Sequence, residues 1–224
     1  MSEQLAQVII SREYPGGYYG LRIAAPQLAQ QVKPGQALII NGERWPVLRS
    51  DLRQGQVDCL AQQHPPAIGE RVTLRGPQGG AFDLSRTSPR ALLLGQLDSL
   101  AELLFLADQL RQQPNRIKLL LLLEAHGELP FQPQPSRIIV PDLPSWVIAA
   151  LPLCEDWGIP SRIARADAAG CYDGSVSALA EQWLNVQQGA ADVTVYACGG
   201  VRLCADAAEL AQQQRLACQT LLLD

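Results

Sequence analysis

The spacing of apolar residues changes character near Pro89, and that change constrains the fold more than any other feature of the chain. Before it, six short β-type runs follow one another between Gly and Pro: LAQVIIS, YYGLRIAA, QALIING, WPVLRSDL, QVDCLAQQ and ERVTLRG. Regular spacing with almost no helical periodicity predicts a small antiparallel barrel or sandwich. After Pro89, RALLLG reads as a continuous apolar strand. Residues 98–113 (DSLAELLFLADQLRQQ) then carry apolar side chains at helical intervals, with Asp98 placed as N-cap and Glu102 in the first turns. The alternation continues through IKLLLLLEA, SRIIVPD, a helix from about Pro144 to Asp156, SRIARAD and a helix from Gly174 to Leu184. It closes with DVTVYACGG, a helix from about Val201 to Gln214 and a last strand, ACQTLLLD. Fully apolar strands bracketing amphipathic helices predict a parallel sheet covered on both faces. The expected architecture is an N-terminal antiparallel β-barrel over residues 1–87 followed by a doubly wound α/β domain over residues 89–224.

Composition narrows the function classes. The net charge of −4 comes from 18 basic and 22 acidic residues without a basic run, and only five Tyr and three Phe could serve as stacking platforms. Nucleic acid is not an expected partner. The start, MSEQLAQVIISREY, alternates and carries Glu3 where a leader would have a basic and then an apolar stretch, so no signal peptide is expected. Apolar runs such as Leu119–Leu123 fall far short of the roughly 20 residues of a membrane helix. A cytoplasmic protein without a membrane span is expected. The six cysteines include no C-x-x-C pair and there are two histidines, so neither a metal site nor a disulfide framework is expected.

Three landmarks occur in a telling order: V-K-P-G-Q-A-L at Val32–Leu38, G-P-Q-G-G-A-F at Gly76–Phe82 and V-Y-A-C-G-G at Val195–Gly200. Together they resemble the K-P-G-Q-F, G-P-L-G-x-G-F and V-Y-A-C-G-P segments of the ferredoxin–NADP reductase superfamily. They resemble especially those of the electron-transfer subunit of flavin-dependent dihydroorotate dehydrogenase, and GCYDGSVSALAEQWL from Gly170 is similar to the family's segment before the fifth sheet strand. The resemblance implies FAD on the barrel, NAD(P)H on the sheet domain and electrons passed to a protein partner. It marks Gly76, Pro77, Gly79, Phe82, Gly95, Gly199 and Gly200 as cofactor-binding positions and puts Cys198 where the family's cysteine faces the nicotinamide.

Departures from that pattern fall on the cofactor contacts themselves. The family holds flavin with an R-x-Y-S or R-P-x-S motif, and here the stretch reads R-W-P-V-L-R-S from Arg44. Aligned on Pro46, Trp45 stands for the phosphate-binding arginine and Leu48 for the hydroxyl residue, and neither offers the original contact. Arg44 and Arg49 are the cations that a shifted register would supply. The next phosphate turn is replaced by Q-Q-H-P-P around His64, where proline has no N–H to give. After the first parallel strand a glycine-rich phosphate loop becomes L-L-L-G-Q-L-D-S-L-A-E, in which only Gly95 matches. Asp98 and Glu102 add charge where a pyrophosphate would dock. The sequence ends at Asp224, where the dehydrogenase subunit's four-cysteine iron–sulfur loop would begin. Cys198, His126, Asp167, Cys171 and Asp173 remain as polar or reactive groups near strand ends.

Cofactor binding is accordingly expected to be absent or weak, with FAD and NAD(P)H bound if the family activity is retained. The readings left open are a binding or regulatory scaffold, an active flavin-dependent NAD(P)H oxidoreductase, and a small-molecule binder. The partner is either a redox or dehydrogenase subunit or a second copy of the chain, and whether the protein is an enzyme stays open.

Overall fold

The computed structural model describes residues 3–186 and 192–223; Met1 and Asp224, the outer ends of the two expected domains, lie outside the described residues. By its internal contacts the chain divides into two compact units. One runs to Phe82 and takes in Ala101–Asp108; the other holds Asp83–Leu100 and the chain from Gln109 onward.

In the first unit the strands are β1 (Gln4–Tyr14), β2 (Tyr18–Ala24), β3 (Ala37–Ile40), β4 (Glu43–Asp51), β5 (Gln56–Ala61) and β6 (Arg71–Gln78). They pair antiparallel in the closed order β1-β2-β5-β4-β3-β6, so no strand edge is left unpaired. Alternation along each strand sends one set of side chains inward. Ile23, Leu38, Trp45, Val47, Val57, Val72 and Leu74 share one buried cluster. The β3–β4 hairpin turns on Asn41 (φ 50°) and Gly42 (φ 90°), the pair of positive φ values that a tight hairpin needs. A short helix that the β spacing does not announce, α1 (Pro26–Gln31), starts with proline in its first turn and buries Leu28 and Ala29 in the barrel core.

The second unit contains a parallel sheet of β7 (Arg90–Gln96), β8 (Lys118–Glu124), β11 (Ser161–Ala164), β12 (Val193–Gly199) and β13 (Ala217–Leu222), in the order β11-β8-β7-β12-β13. Its helices are α3 (Pro152–Asp156), α4 (Val176–Val186) and α5 (Val201–Gln214), while α2 (Leu100–Arg111) follows β7. The three central strands are apolar almost end to end, as sequences buried on both faces must be. Residues 98–113 form a 3₁₀ turn over Leu97–Ser99 leading into α2, and among the described residues no helix is long and apolar enough to cross a membrane.

Two expected elements differ. The helix from Pro144 to Asp156 is only α3, because proline restricts the preceding Leu151 to extended backbone (ψ 122°) and fits only a helix's first turn. Upstream of it, Ala149–Ala150 (β10) instead pairs antiparallel with Gln134–Pro135 (β9). SRIIVPD, expected as a strand, is irregular. Past the backbone bond from Ser136 N–H to the Ile148 carbonyl, it is held by side chains: Ser136 Oγ and Arg137 N–H donate to the Glu155 carboxylate at 2.6 and 3.0 Å, and Arg162 donates to the Ile138 carbonyl at 2.9 Å.

Candidate functional site

Strand order reverses between β7 and β12, because β7 is followed in space by β8 on one side and by β12 on the other. Open parallel sheets bind ligands outside the carboxyl ends of their strands at such a point. The residues there are Gln96, ending β7, and Cys198-Gly199-Gly200, leading from β12 into α5. Gln96 Oε1 accepts the Gly200 N–H at 2.9 Å, so one of the amides that a helix N-terminus leaves open is satisfied by a side chain. The fit is tight: a Cβ on Gly199 (φ 155°) would stand 2.8 Å from that same oxygen. Ser99 Oγ accepts the Gln96 N–H at 3.0 Å and lies 2.8 Å from the Gln96 carbonyl and 2.7 Å from the Cys198 carbonyl. Side chains from the segment after β7 thus stitch it to the end of β12. Gly95 lies in β7 between Cys198 of β12 and Leu123 of β8.

Asp98 is not the N-cap expected for it. Gln96 and Ser99 form a reciprocal capping box around the 3₁₀ turn, which leaves Asp98 exposed. Glu102 is fully buried, and its Oε1 accepts from Arg44 at 3.0 Å within the first compact unit. An acid at this position is held by tertiary pairing, which helical spacing alone cannot reveal.

Cys198 is fully buried in β12, paired in register with Gly95 on one side and Leu221 on the other. None of the six cysteines forms a disulfide. Burial pushes the Cys154 thiol up to about 12 and the Cys218 thiol up to about 11. Cys171 and Cys204 are raised by the same cause. Thiols held neutral in this way are poor nucleophiles. His126 is exposed with its Nε2 2.8 Å from Glu124 Oε1. Asp167 and Asp173 are exposed on the loop before α4, whereas Cys171 between them is buried.

On the barrel, the two glycine landmarks pack against each other. The Phe82 N–H donates to the Pro34 carbonyl at 3.0 Å, and Lys33 N–H is taken by Gln36 Oε1 at 2.9 Å. Gly76 (φ 138°) leaves no room for a side chain: a Cβ would lie 3.0 Å from Leu38 Cδ2 and 3.3 Å from the Ala37 carbonyl. Pro77 and Gly79 (φ 90°) carry the chain onward, and Phe82 is buried. Along β4, Trp45 is 1% exposed in the barrel core. Pro46 is also buried, while Arg44 and Arg49 keep half-exposed side chains. Arg49 Nε lies 3.8 Å from the buried Asp108 Oδ2. Sequence reasoning missed Glu102 and Asp108 as partners. The available signal was two acids within LAELLFLADQL, a stretch otherwise apolar but for Gln109.

No protein-family model and no curated protein matches the chain. Solved structures do. The ferredoxin reductase in carbazole 1,9a-dioxygenase is similar over 99% of this chain and 69% of its own, with a TM-score of 0.68 and 12% identity. A ferredoxin NADP+ reductase from Neisseria gonorrhoeae with bound FAD and NADP is similar over 98% of this chain and 99% of its own, at a TM-score of 0.63 and 12% identity. Full-length CYP116B46 from Tepidiphilus thermophilus is similar over 99% of this chain but only 29% of its own length, at a TM-score of 0.65 and 15% identity. At such identities the likeness speaks for the fold. The closed barrel followed by a five-stranded parallel sheet is the two-domain fold of ferredoxin–NADP reductase-like proteins.

Proposed function

We propose that this protein is a ferredoxin-reductase-fold scaffold that does not use nicotinamide and serves an electron-transfer system as a binding or regulatory subunit. One observation carries the reading: Gln96 Oε1 holds the Gly200 N–H and Ser99 Oγ bridges to the Cys198 carbonyl, so the amide and the space that a pyrophosphate needs are taken by the chain itself. Opening this end of the strands would break both contacts and leave a part-buried amide and a buried carbonyl to find new partners. The neighbouring Cys198 thiol is buried, and Asp98 adds an exposed negative charge to the same short segment.

The barrel, expected over residues 1–87, is read as the relic of a flavin domain, and residues 89–224 as the relic of an NAD(P) domain. The landmark motifs persist because they build turns. The resemblance to the electron-transfer subunit of dihydroorotate dehydrogenase favours a redox or dehydrogenase subunit as partner, in the cytoplasm. The second reading, an active flavin-dependent NAD(P)H oxidoreductase, draws on neighbours of this fold such as the one with bound FAD and NADP.

Titration with NADH and NADPH separates the two. The scaffold reading expects binding no tighter than millimolar, about −4 kcal/mol, with recovery when Gln96→Gly, Leu97→Gly and Ser99→Gly are combined. Oxidation of NADH with an artificial acceptor at ordinary enzyme rates by the unmodified protein would replace it with the second reading.

A further inference from the structure

The two half-exposed arginines of β4 each meet a carboxylate that has left water altogether. Arg44 Nη2 donates to Glu102 Oε1 at 3.0 Å, and Arg49 Nε lies 3.8 Å from Asp108 Oδ2, both acids being fully buried. Glu102 and Asp108 stand six residues apart on one side of α2, with Phe105 between them in the same buried cluster as Trp45 and Val47. The stretch Ala101–Asp108 belongs to the compact unit of the barrel. Burying a carboxylate is costly unless a cation and hydrogen bonds compensate it. The arginines are therefore committed to the helix.

We infer that this face of α2 is a built-in occupant of the barrel's cationic strand, with Glu102 and Asp108 standing where the phosphates of an anionic ligand would be recognised. The residues do not fit a flavin nucleotide: its phosphates would have to compete for Arg44 and Arg49 while lying beside two carboxylates. The inference rests on the scaffold reading and extends it from the sheet to the barrel. It makes the loss of flavin a matter of charge, reversible by neutral side chains of the same shape.

The test is titration of FAD and of FMN, read by quenching of flavin fluorescence, against the unmodified protein and the Glu102→Gln, Asp108→Asn double variant. Circular dichroism melting establishes that each is folded. The double variant is expected to bind at least roughly tenfold tighter and to lose that gain when Arg44→Gln and Arg49→Gln are added. No gain, or a gain that survives loss of the arginines, overturns the inference. If the double variant does not fold, Asp108→Asn alone, at the looser of the two pairs, carries the same expectation in smaller measure. Nitrogen NMR of the arginine Nε groups in the unmodified protein gives a further reading: signals of Arg44 and Arg49 that stay still with micromolar FAD support the inference, and shifts overturn it. NADH titrations run in parallel report on the Gln96 crevice alone, so failure there leaves the flavin result standing by itself.

Discussion

On the scaffold reading proposed for this protein, the strand β4 of the barrel and the end of β7 in the sheet are closed by different forces. On β4 the closure is ionic, with half-exposed arginines reaching buried carboxylates. At β7 it is neutral: one amide side chain and one hydroxyl take up backbone groups over distances of 2.7 to 3.0 Å. A neutral closure removed by truncating a side chain leaves an amide or a carbonyl unpaired, but no charge. An ionic closure removed from one side leaves a buried charge, so its two partners are not equivalent: loss of the arginine is worse than neutralising the acid.

The largest effect expected from any single change tests the barrel core that carries the ionic closure. Trp45→Ala, at a residue 1% exposed, should cost about 3–5 kcal/mol. Chemical denaturation read by tryptophan fluorescence would show it, and a loss under about 1 kcal/mol would mean that Trp45 is not the core residue described. Next is Arg44→Ala, which takes the Arg44 cation from the buried Glu102 carboxylate and should destabilise by about 1–3 kcal/mol, with Arg44→Ala in a Glu102→Gln background costing clearly less. Equal costs in the two backgrounds would dissolve the contrast between charged and neutral closure.

Alkaline pH sharpens the comparison differently, since five of the six thiols (Cys154, Cys171, Cys198, Cys204, Cys218) lie in the sheet unit. The Cys154 thiol is raised from 9.0 to about 12 by burial, so the unfolded chain gives up its proton first as pH rises. Between those values the native state binds more protons, and stability falls with pH; below 9.0 the contribution is intact. The loss at pH 10 should be about 1 kcal/mol, and Cys154→Ala should flatten that limb of the stability profile. An unchanged limb would locate the titrating group elsewhere.

Smallest is the neutral closure. Gln96→Ala should cost about 0.5–1.5 kcal/mol. Gly199→Ala should be tolerated better in that background than alone, because its Cβ would otherwise lie 2.8 Å from Gln96 Oε1. Strict additivity of the two substitutions would show that Gln96 does not occupy the space over Gly199.

Periodicity was enough to determine the barrel, the parallel sheet and most helices, because strand alternation and the helical repeat are written in adjacent residues. That Gln96, Leu97 and Ser99 stand where the resembling family has glycines came from the resemblance, not from periodicity. Only the tertiary structure decided what those side chains do. Gln96 finds its partner at Gly200 and Ser99 at Cys198, about a hundred positions away. It also decided that Asp98 is bypassed as a cap, that Trp45 faces the barrel core, and that SRIIVPD forgoes a strand for contacts with Glu155 and Arg162. Glu102 and Asp108 make the point most sharply. In sequence they are ordinary acids on an amphipathic helix; in the fold they are buried, and β4 supplies the cations that make that burial bearable. Local preference depends on neighbours along the chain, whereas the cost of a buried charge depends on which distant residue comes to meet it.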